Sequence, residues 1–312
     1  MNIEASIIIV NWKVRDLLRA CLQSVRDQAG LRMDQMEVIV VDNNSGDGSV
    51  EMVQAEFPEV RLIANLDNPG FGKANNQAMP WCSGRYVVLL NPDTVVLDGA
   101  IGTMVRRMDQ QRDVAAMGCR LLNADLSLQR WTGGAFPRAL NLANHYLFLD
   151  QMLPRAMRPM PLYLDHDARE DIDVDWVSGA FMILRGSMLD GKLFNPDFFM
   201  YGEDLELCHR LKLAGHRIVY SPAASIIHYQ GASMKQQQGD VLLASLKGPR
   251  QFYKQMRGPS GVWKFDLFTI LGFGLRWVLY SVMHVLRPSG GYAGRAHSSL
   301  DLMGRAWRIR KG

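Results

Sequence analysis

Four apolar runs mark residues 1–120: SIIIV at 6–10, VIVV at 38–41, VRLI at 60–63 and YVVLL at 86–90. Short continuous runs rich in Val, Ile and Leu predict strands buried on both faces. Between them the apolar residues recur at helical spacing, most clearly Val14, Leu17, Leu18, Cys21, Leu22 and Val25. Strands alternating with helices predict an α/β fold with a mixed, mainly parallel sheet flanked by helices. Ligands of such sheets bind beyond the carboxyl ends of the strands, so the residues after each run matter most. Val10 and Asn11 close the first run, Asp42-Asn43-Asn44-Ser45 follows the second, and Asn91-Pro92-Asp93 follows the fourth. A Gly- and Asn-rich loop, NLDNPGFGKANNQA (65–78), lies between the third and fourth. Its G-x-G-x-x-N lacks the third glycine of a dinucleotide fingerprint and does not follow the first strand, which argues against a dehydrogenase.

From 138 to 170 the pattern dissolves around Pro154, Pro159 and Pro161, which reads as a long irregular connection. Strand character returns in IDVDWVSGAFMIL (172–184). FNPDFFMYGEDLELCH (194–209) sets aromatic residues ahead of Glu203 and Asp204, with Leu205, Cys208 and Leu211 at helical spacing and Gly215 as a stop. ASIIHY (224–229) is the last apolar strand, and the KQQQ run at 235–238 reads as a surface loop. Residues 262–288 then form a helix whose polar positions, Thr269, Arg276, Tyr280, His284 and Arg287, fall on one stripe. Its broad apolar remainder fits a membrane interface, a soluble core or a contact within a homodimer.

Composition narrows the class. The 312 residues are 48% hydrophobic and 21% charged, as in a folded globular protein. The net charge of +4 is mild, but Arg295, Arg305, Arg308, Arg310 and Lys311 crowd the last stretch. Such a segment meets an anionic membrane surface or nucleic acid, or is simply a solvated helix end. The four cysteines, Cys21, Cys82, Cys119 and Cys208, form no C-x-x-C pair, which argues against a zinc module or a disulfide framework and fits a reducing compartment such as the cytoplasm. The start, MNIEASIIIVNW, has neither a basic leader nor a long apolar core, so it reads as a strand and not as a signal peptide.

The ordered set VDNNSGDGS, NPGFGKANN, LLNPD, WVSGAFMILR, FFMYGEDLELCHRL and IIHY resembles the family 2 glycosyltransferases of GT-A fold, and among them the bacterial rhamnosyltransferases. The resemblance covers roughly residues 5–230, with six motifs in order. It implies a GT-A domain over residues 1–235, a donor half (1–120) and an acceptor half (121–235), followed by a C-terminal helical appendage (236–312). It also implies inverting transfer of a sugar, L-rhamnose from its dTDP donor, to a saccharide or lipid-linked saccharide. The apolar helix and the basic tail, which lie outside the resemblance, suggest a peripheral position on the inner face of the membrane, and no nucleic-acid partner is expected.

Site residues carry over one at a time. Asp42 is implied to contact the base of the nucleotide-sugar, or else it opens an Asx-turn. Val10, Asn11, Asn68, Gly70 and Asn75 are implied to line the donor pocket, with Asn75 and Asn76 supplying neutral hydrogen bonds. Asp93 stands where the family places an Asp-x-Asp metal signature. Here that signature is Asn-Pro-Asp, so one carboxylate would hold Mg²⁺ or Mn²⁺ with help from phosphates and water. His228 is the implied second contact, and its imidazole suits Mn²⁺. Asp204 is implied to be the general base, ionised at an ordinary pKa of about 4. Glu203 either orients the acceptor or caps the helix, while Phe198, Phe199 and Tyr201 face the sugar and exclude water. Trp176 stacks on a sugar or fills the core; Arg210 reaches the diphosphate or pairs with Glu206 at i,i+4.

Other readings keep their discriminating features. A UDP-linked donor is the nearest alternative. A nucleotidyltransferase needs a Gly-rich phosphate loop after the first strand, where NWKVRD stands instead. A sugar-binding protein needs no base, yet Asp93, Asp204 and His228 are all present.

Overall fold

The computed structural model describes residues 3–130, 132–149, 161–164, 168–189, 191–229 and 238–311. Pro154, Pro159 and residues 235–237 of the expected surface loop lie outside the described residues. The chain forms two compact units, one of residues 1–134 and 163–241 and one of residues 135–162 and 242–312. Thus 135–162, assigned by the sequence to the acceptor half, groups with the C-terminal helices.

In the first unit, β1 (Ala5–Asn11), β2 (Met36–Asp42), β3 (Arg61–Ala64) and β4 (Tyr86–Leu90) are the four expected strands. They alternate with α1 (Arg15–Gln28), α2 (Ser49–Glu56) and α3 (Phe71–Ala78). After β5 (Thr94–Val96) come α4 (Ala100–Gln110), β6 (Val114–Leu122) and β7 (Gly133–Gly134). Then α5 (Ala139–Leu147) opens the second unit's first segment, a regular helix where the sequence shows only an irregular connection. The first unit resumes with β8 (Ile172–Val174), β9 (Trp176–Val177), β10 (Phe181–Arg185), α6 (Glu203–Leu213) and β11 (Arg217–His228).

Among the described residues the main sheet runs β3-β2-β1-β4-β10-β6-β11-β5, with β8 also on β11, and β7 pairs with β9 separately. β1, β2, β3 and β4 are parallel, as are β6 and β11, while β10 lies antiparallel to both β4 and β6. The sheet is therefore mixed and mainly parallel, as expected. Ile7, Ile9, Val38, Val40, Val88 and Ile183 pack with Leu18, Leu22, Ile101 and Met104 in one core. Fully burying each such aliphatic side chain contributes about 1.5–3 kcal/mol. Because β4, β6 and β11 point the same way, their carboxyl ends share one edge, and β10 begins there.

The second unit is helical. With α5 it holds α7 (Gln238–Arg257), α8 (Val262–Leu286) and α9 (Tyr292–Lys311). α8 lies close on α5 because Gly272 leaves room; a Cβ there would come 2.5 Å from the Tyr146 Cβ. Arg276 donates to the carbonyls of Tyr146 at 2.9 Å and His145 at 3.0 Å, closing the end of α5. Asp266 is buried and paired with Arg250 at 2.7 Å, and Thr269 is buried too. Of the polar stripe, Thr269 therefore faces inward, Arg276, Tyr280 and His284 are half-buried, and Arg287 is exposed. Trp263, Leu267, Leu271, Val278, Val282 and Val285 face outward, Val285 with 78% exposure.

Candidate active site

The carboxyl-end edge gathers most of the expected residues. Asn11 and Asp42 are register partners at the ends of β1 and β2. Asp42 is buried, and its Oδ1 accepts from Asn11 Nδ2 at 2.7 Å and Ser45 Oγ at 2.6 Å; its Oδ2 accepts from the Ser45 N–H at 2.9 Å. Asp42 itself thus closes the turn, but through the N–H three residues on and not as the expected Asx-turn. Three of its roughly four acceptor sites are filled, which leaves one for a ligand. Beside it, Asn11 Oδ1 is buried without a hydrogen-bond partner among the described residues, an acceptor left unpaired. Val10 is buried behind this pair.

The Gly- and Asn-rich loop is largely self-satisfied. Asn68 Oδ1 accepts from the Gly70 N–H at 3.0 Å and from Asn43 Nδ2 at 3.2 Å. Asn75 donates to the Phe71 carbonyl at 2.9 Å, one turn back in α3. Asn76 clamps the Phe194 backbone, donating to its carbonyl at 2.7 Å and accepting from its N–H at 2.8 Å. Gly70 has φ +92°, and a Cβ there would strike the Phe199 ring at 2.7 Å. The Phe71 N–H completes the join by donating to the Phe199 carbonyl at 3.0 Å.

β5 and β11 pair antiparallel with His228 opposite Thr94, and this brings His228 beside Asp93. His228 Nε2 lies 3.3 Å from Asp93 Oδ1, and both side chains are buried. A carboxylate oxygen and an imidazole nitrogen so placed fit Mn²⁺ or Mg²⁺ with two protein ligands, the remainder of the shell coming from phosphate and water. Among the described residues no group of three or more His, Cys, Asp or Glu forms a fuller cage. Gln129 supports the pair: its Oε1 lies 2.7 Å from His228 Nδ1. Nothing in its sequence spacing singles it out.

α6 supplies the acids. Tyr201 at φ +65° and Gly202 at φ +94° turn the chain sharply into the helix. Asp204 Oδ1 accepts from the Leu205 N–H at 2.8 Å, while Glu203 Oε2 is buried with no partner among the described residues. The expected ordinary pKa of Asp204 does not hold. Burial pushes its carboxyl up to about 6 against the opposing pull of backbone N–H groups. Burial, then the Asp204 charge, pushes Glu203 higher, to about 8. Burial also raises the Tyr201 phenol to about 12, with further push from Glu203, Asp93 and Asp204. One phenol thus feels Asp93 as well as the two acids of α6.

One aromatic expectation changes, and burial bears on another. Phe198 is 1% exposed, a core residue and not a sugar-facing one, whereas Phe199 is 56% exposed. Trp176 is 6% exposed, set edge-on to Tyr163 with its Nε1 unpartnered. Its buried ring matches the core alternative. Arg210 pairs with Glu206 at 3.2 Å and donates to the Leu193 carbonyl at 2.8 Å, the i,i+4 alternative. All four cysteines are free thiols.

Residues 6–188 match the family model described as "Glycosyl transferase family 2". The chain is 26% identical over 295 residues to an N-acetylglucosaminyl-diphospho-decaprenol L-rhamnosyltransferase of Mycobacterium tuberculosis, covering 88% of this chain and 87% of that protein. It is 27% identical over 233 residues to the rhamnosyltransferase WbbL of Escherichia coli K12, covering 72% and 82%. Among solved structures, the mannosyltransferase PcManGT of Pyrobaculum calidifontis, in complex with GDP-Man and Mn²⁺, matches with TM-score 0.56 at 15% identity, covering 99% and 87%. GalNAc-T7 with UDP, GalNAc and Mn²⁺ matches with TM-score 0.54 at 13% identity, covering 79% and 47%. These two likenesses concern the fold, which is the glycosyltransferase GT-A architecture.

Proposed function

We propose, from the premise that this chain belongs to glycosyl transferase family 2, that it transfers L-rhamnose from dTDP-L-rhamnose, with inversion, to a polyprenyl-diphosphate-linked sugar. The carrying observation is that β5–β11 pairing sets His228 Nε2 3.3 Å from Asp93 Oδ1, while the first turn of α6 supplies the carboxyl pair Glu203 and Asp204. The names of the rhamnosyltransferase relatives supply the sugar and the lipid-linked acceptor.

In this reading Asp42 and the unpaired Asn11 Oδ1 meet the pyrimidine base, with Val10, Asn68, Gly70 and Asn75 forming the pocket around the donor. The acceptor hydroxyl oxygen bonds to the anomeric carbon from the face opposite the diphosphate. Its proton passes to the Asp204 carboxylate, and the bond from the anomeric carbon to the diphosphate oxygen breaks. A divalent cation held by Asp93 and His228 would supply charge neutralisation for the departing diphosphate. Glu203, carrying a proton at neutral pH, donates to the acceptor and keeps a second negative charge away from Asp204. Tyr201 and exposed Phe199 shield the anomeric carbon from water.

A lipid-linked acceptor also accounts for α8. Residues Pro259–Leu286 are long and apolar enough to cross a membrane by length and composition. Arg276 at mid-helix is nevertheless committed to α5, so we place α8 in the plane of the membrane's inner surface, held by its apolar face. Arg308 and Arg310 on α9 add attraction to anionic lipid, about 1 kcal/mol each.

The test is a panel of nucleotide-sugars with a synthetic polyprenyl-diphosphate acceptor, read by mass spectrometry and by the anomeric configuration of the product. Transfer from dTDP-L-rhamnose with inversion, abolished by EDTA, is expected. Transfer only from UDP-sugars, a retained anomeric configuration or full activity in EDTA would each overturn the corresponding element. Leu271→Asp with Val278→Asp should release the protein from anionic vesicles.

A further inference from the structure

The turn after β6 carries a chain of hydrogen bonds that can run in only one direction. It starts at Asp125, an ionised carboxylate that can only accept, to which Ser127 Oγ donates at 2.5 Å. With its proton so committed, Ser127 Oγ accepts from Asn123 Nδ2 at 2.9 Å. The Asn123 amide oxygen is thereby turned to Gln129, whose Nε2 donates to it at 3.2 Å and to the His228 carbonyl at 3.1 Å. Those two acceptors fix the Gln129 amide and leave Oε1 facing His228 Nδ1 at 2.7 Å. An amide oxygen has no proton to give, so Nδ1 must carry one. On the other side of the ring, Asn91 Nδ2 and Asp93 Oδ1 each lie 3.3 Å from Nε2.

We infer that Gln129 is a positioning residue which, backed by Asn123 and Ser127, keeps a ring proton of His228 on Nδ1 and so presents Nε2, beside Asp93, as the nitrogen that a divalent cation would take. This rests on the metal reading above and adds to it the residues that make it work. The competing tautomer would place Nε2–H against Asp93 Oδ1, satisfying both atoms and blocking a cation. Gln129 disfavours that state because it would set the Nδ1 lone pair against Oε1. Histidine ligands are commonly held in this way by an acceptor on the far ring nitrogen. Here the acceptor is an amide, itself aimed by a turn 99 residues away in the chain.

The first measurement is the ¹⁵N spectrum of histidine-labelled, metal-free protein at pH about 8.5, above the ordinary histidine pKa of about 6.5. The His228 signals are identified by their loss in His228→Ala. A protonated Nδ1 is expected; a bare Nδ1 overturns the inference. The second is Mn²⁺ binding followed by electron paramagnetic resonance. Gln129→Leu should weaken it about 10–100-fold, the usual effect of losing such a partner. Gln129→Glu keeps an acceptor for Nδ1–H but gives up the two donations from Nε2, so it should lose less affinity than Gln129→Leu, which a merely structural role would not produce. Wild-type affinity in Gln129→Leu, or equal losses in both variants, overturns the inference alone. If Gln129→Leu does not fold, the wild-type spectrum decides. Mn²⁺ binding indifferent to both Asp93→Ala and His228→Ala removes the metal reading, and this inference with it.

Discussion

Asp42 and Glu203 are both buried carboxyls in the same unit, yet their surroundings differ sharply. Asp42 accepts three hydrogen bonds from Asn11 and Ser45. Glu203 has an oxygen with no partner among the described residues and sits next to a second acid. Burial alone does not decide what a carboxyl does; the supply of donors does. A carboxylate furnished with donors is a fixture that organises its neighbours. One deprived of them holds its proton or shares its site with another that does, and Asp204, with backbone donors on one side and Glu203 on the other, lies between these extremes.

The largest effect should come from Asp204→Asn, which removes the proton acceptor and leaves the shape. Turnover should fall about 10²–10⁴-fold with donor binding retained, measured by single-turnover kinetics and donor titration. Near-normal turnover would move the base role to Glu203. In the wild type, Asp204 must be ionised to act, so its raised pKa of about 6 sets the acid limb. Turnover should decline as pH drops through about 6; a limb near 4 would mean that the site is wetter than its burial indicates.

Asp42→Ala tests the opposite member of the comparison. It leaves the Ser45 N–H without its acceptor and Asn11 Nδ2 with Ser45 Oγ alone, and should lower stability by about 1–3 kcal/mol in urea unfolding. An unchanged midpoint would show that water or a rearranged turn replaces the carboxylate.

Glu203→Gln should have the smallest effect, because the wild-type side chain is already neutral at pH 7. Turnover within about threefold of wild type is expected. The pH dependence of stability separates the two proteins better. A carboxyl whose folded pKa is raised from 4.5 to about 8 contributes stability fully present below about 4.5 and lost as pH rises through 8. Wild-type unfolding free energy should therefore decline across that window, and the Gln variant should decline less. Parallel curves would contradict the assignment.

The sequence revealed those parts of the fold in which burial repeats along the chain. Contiguous Val, Ile and Leu announce β1, β2 and β4 because both their faces are covered. β6, VAAMGCRLL, was hidden by its small residues, and crowding explains them: a Cβ at Gly118 would come 2.8 Å from Val177. β11 begins at Arg217, earlier than its apolar tail shows, since Pro222 sits where the register with β6 shifts. In the site, the motif order pointed to Asp93, His228 and Asp204, and β5–β11 pairing explains how two of them meet. The raised pKa of Asp204, the burial of Phe198 and the role of Gln129 were illegible, because each depends on what distant segments place around the residue.

The sheet order has a consequence for synthesis on the ribosome. β4 needs β10 on one side, and Asn91 waits for His228, 137 residues later. At about 5–20 residues per second that interval is on the order of 10 s. Throughout it, the nascent N-terminal half presents the open edge of YVVLL, an apolar strand with unpaired backbone groups and no charge to deter a neighbouring chain. A product truncated near residue 120 would retain this edge permanently. The early strands therefore depend on β10, made much later, to cover their exposed edge, quite apart from any substrate.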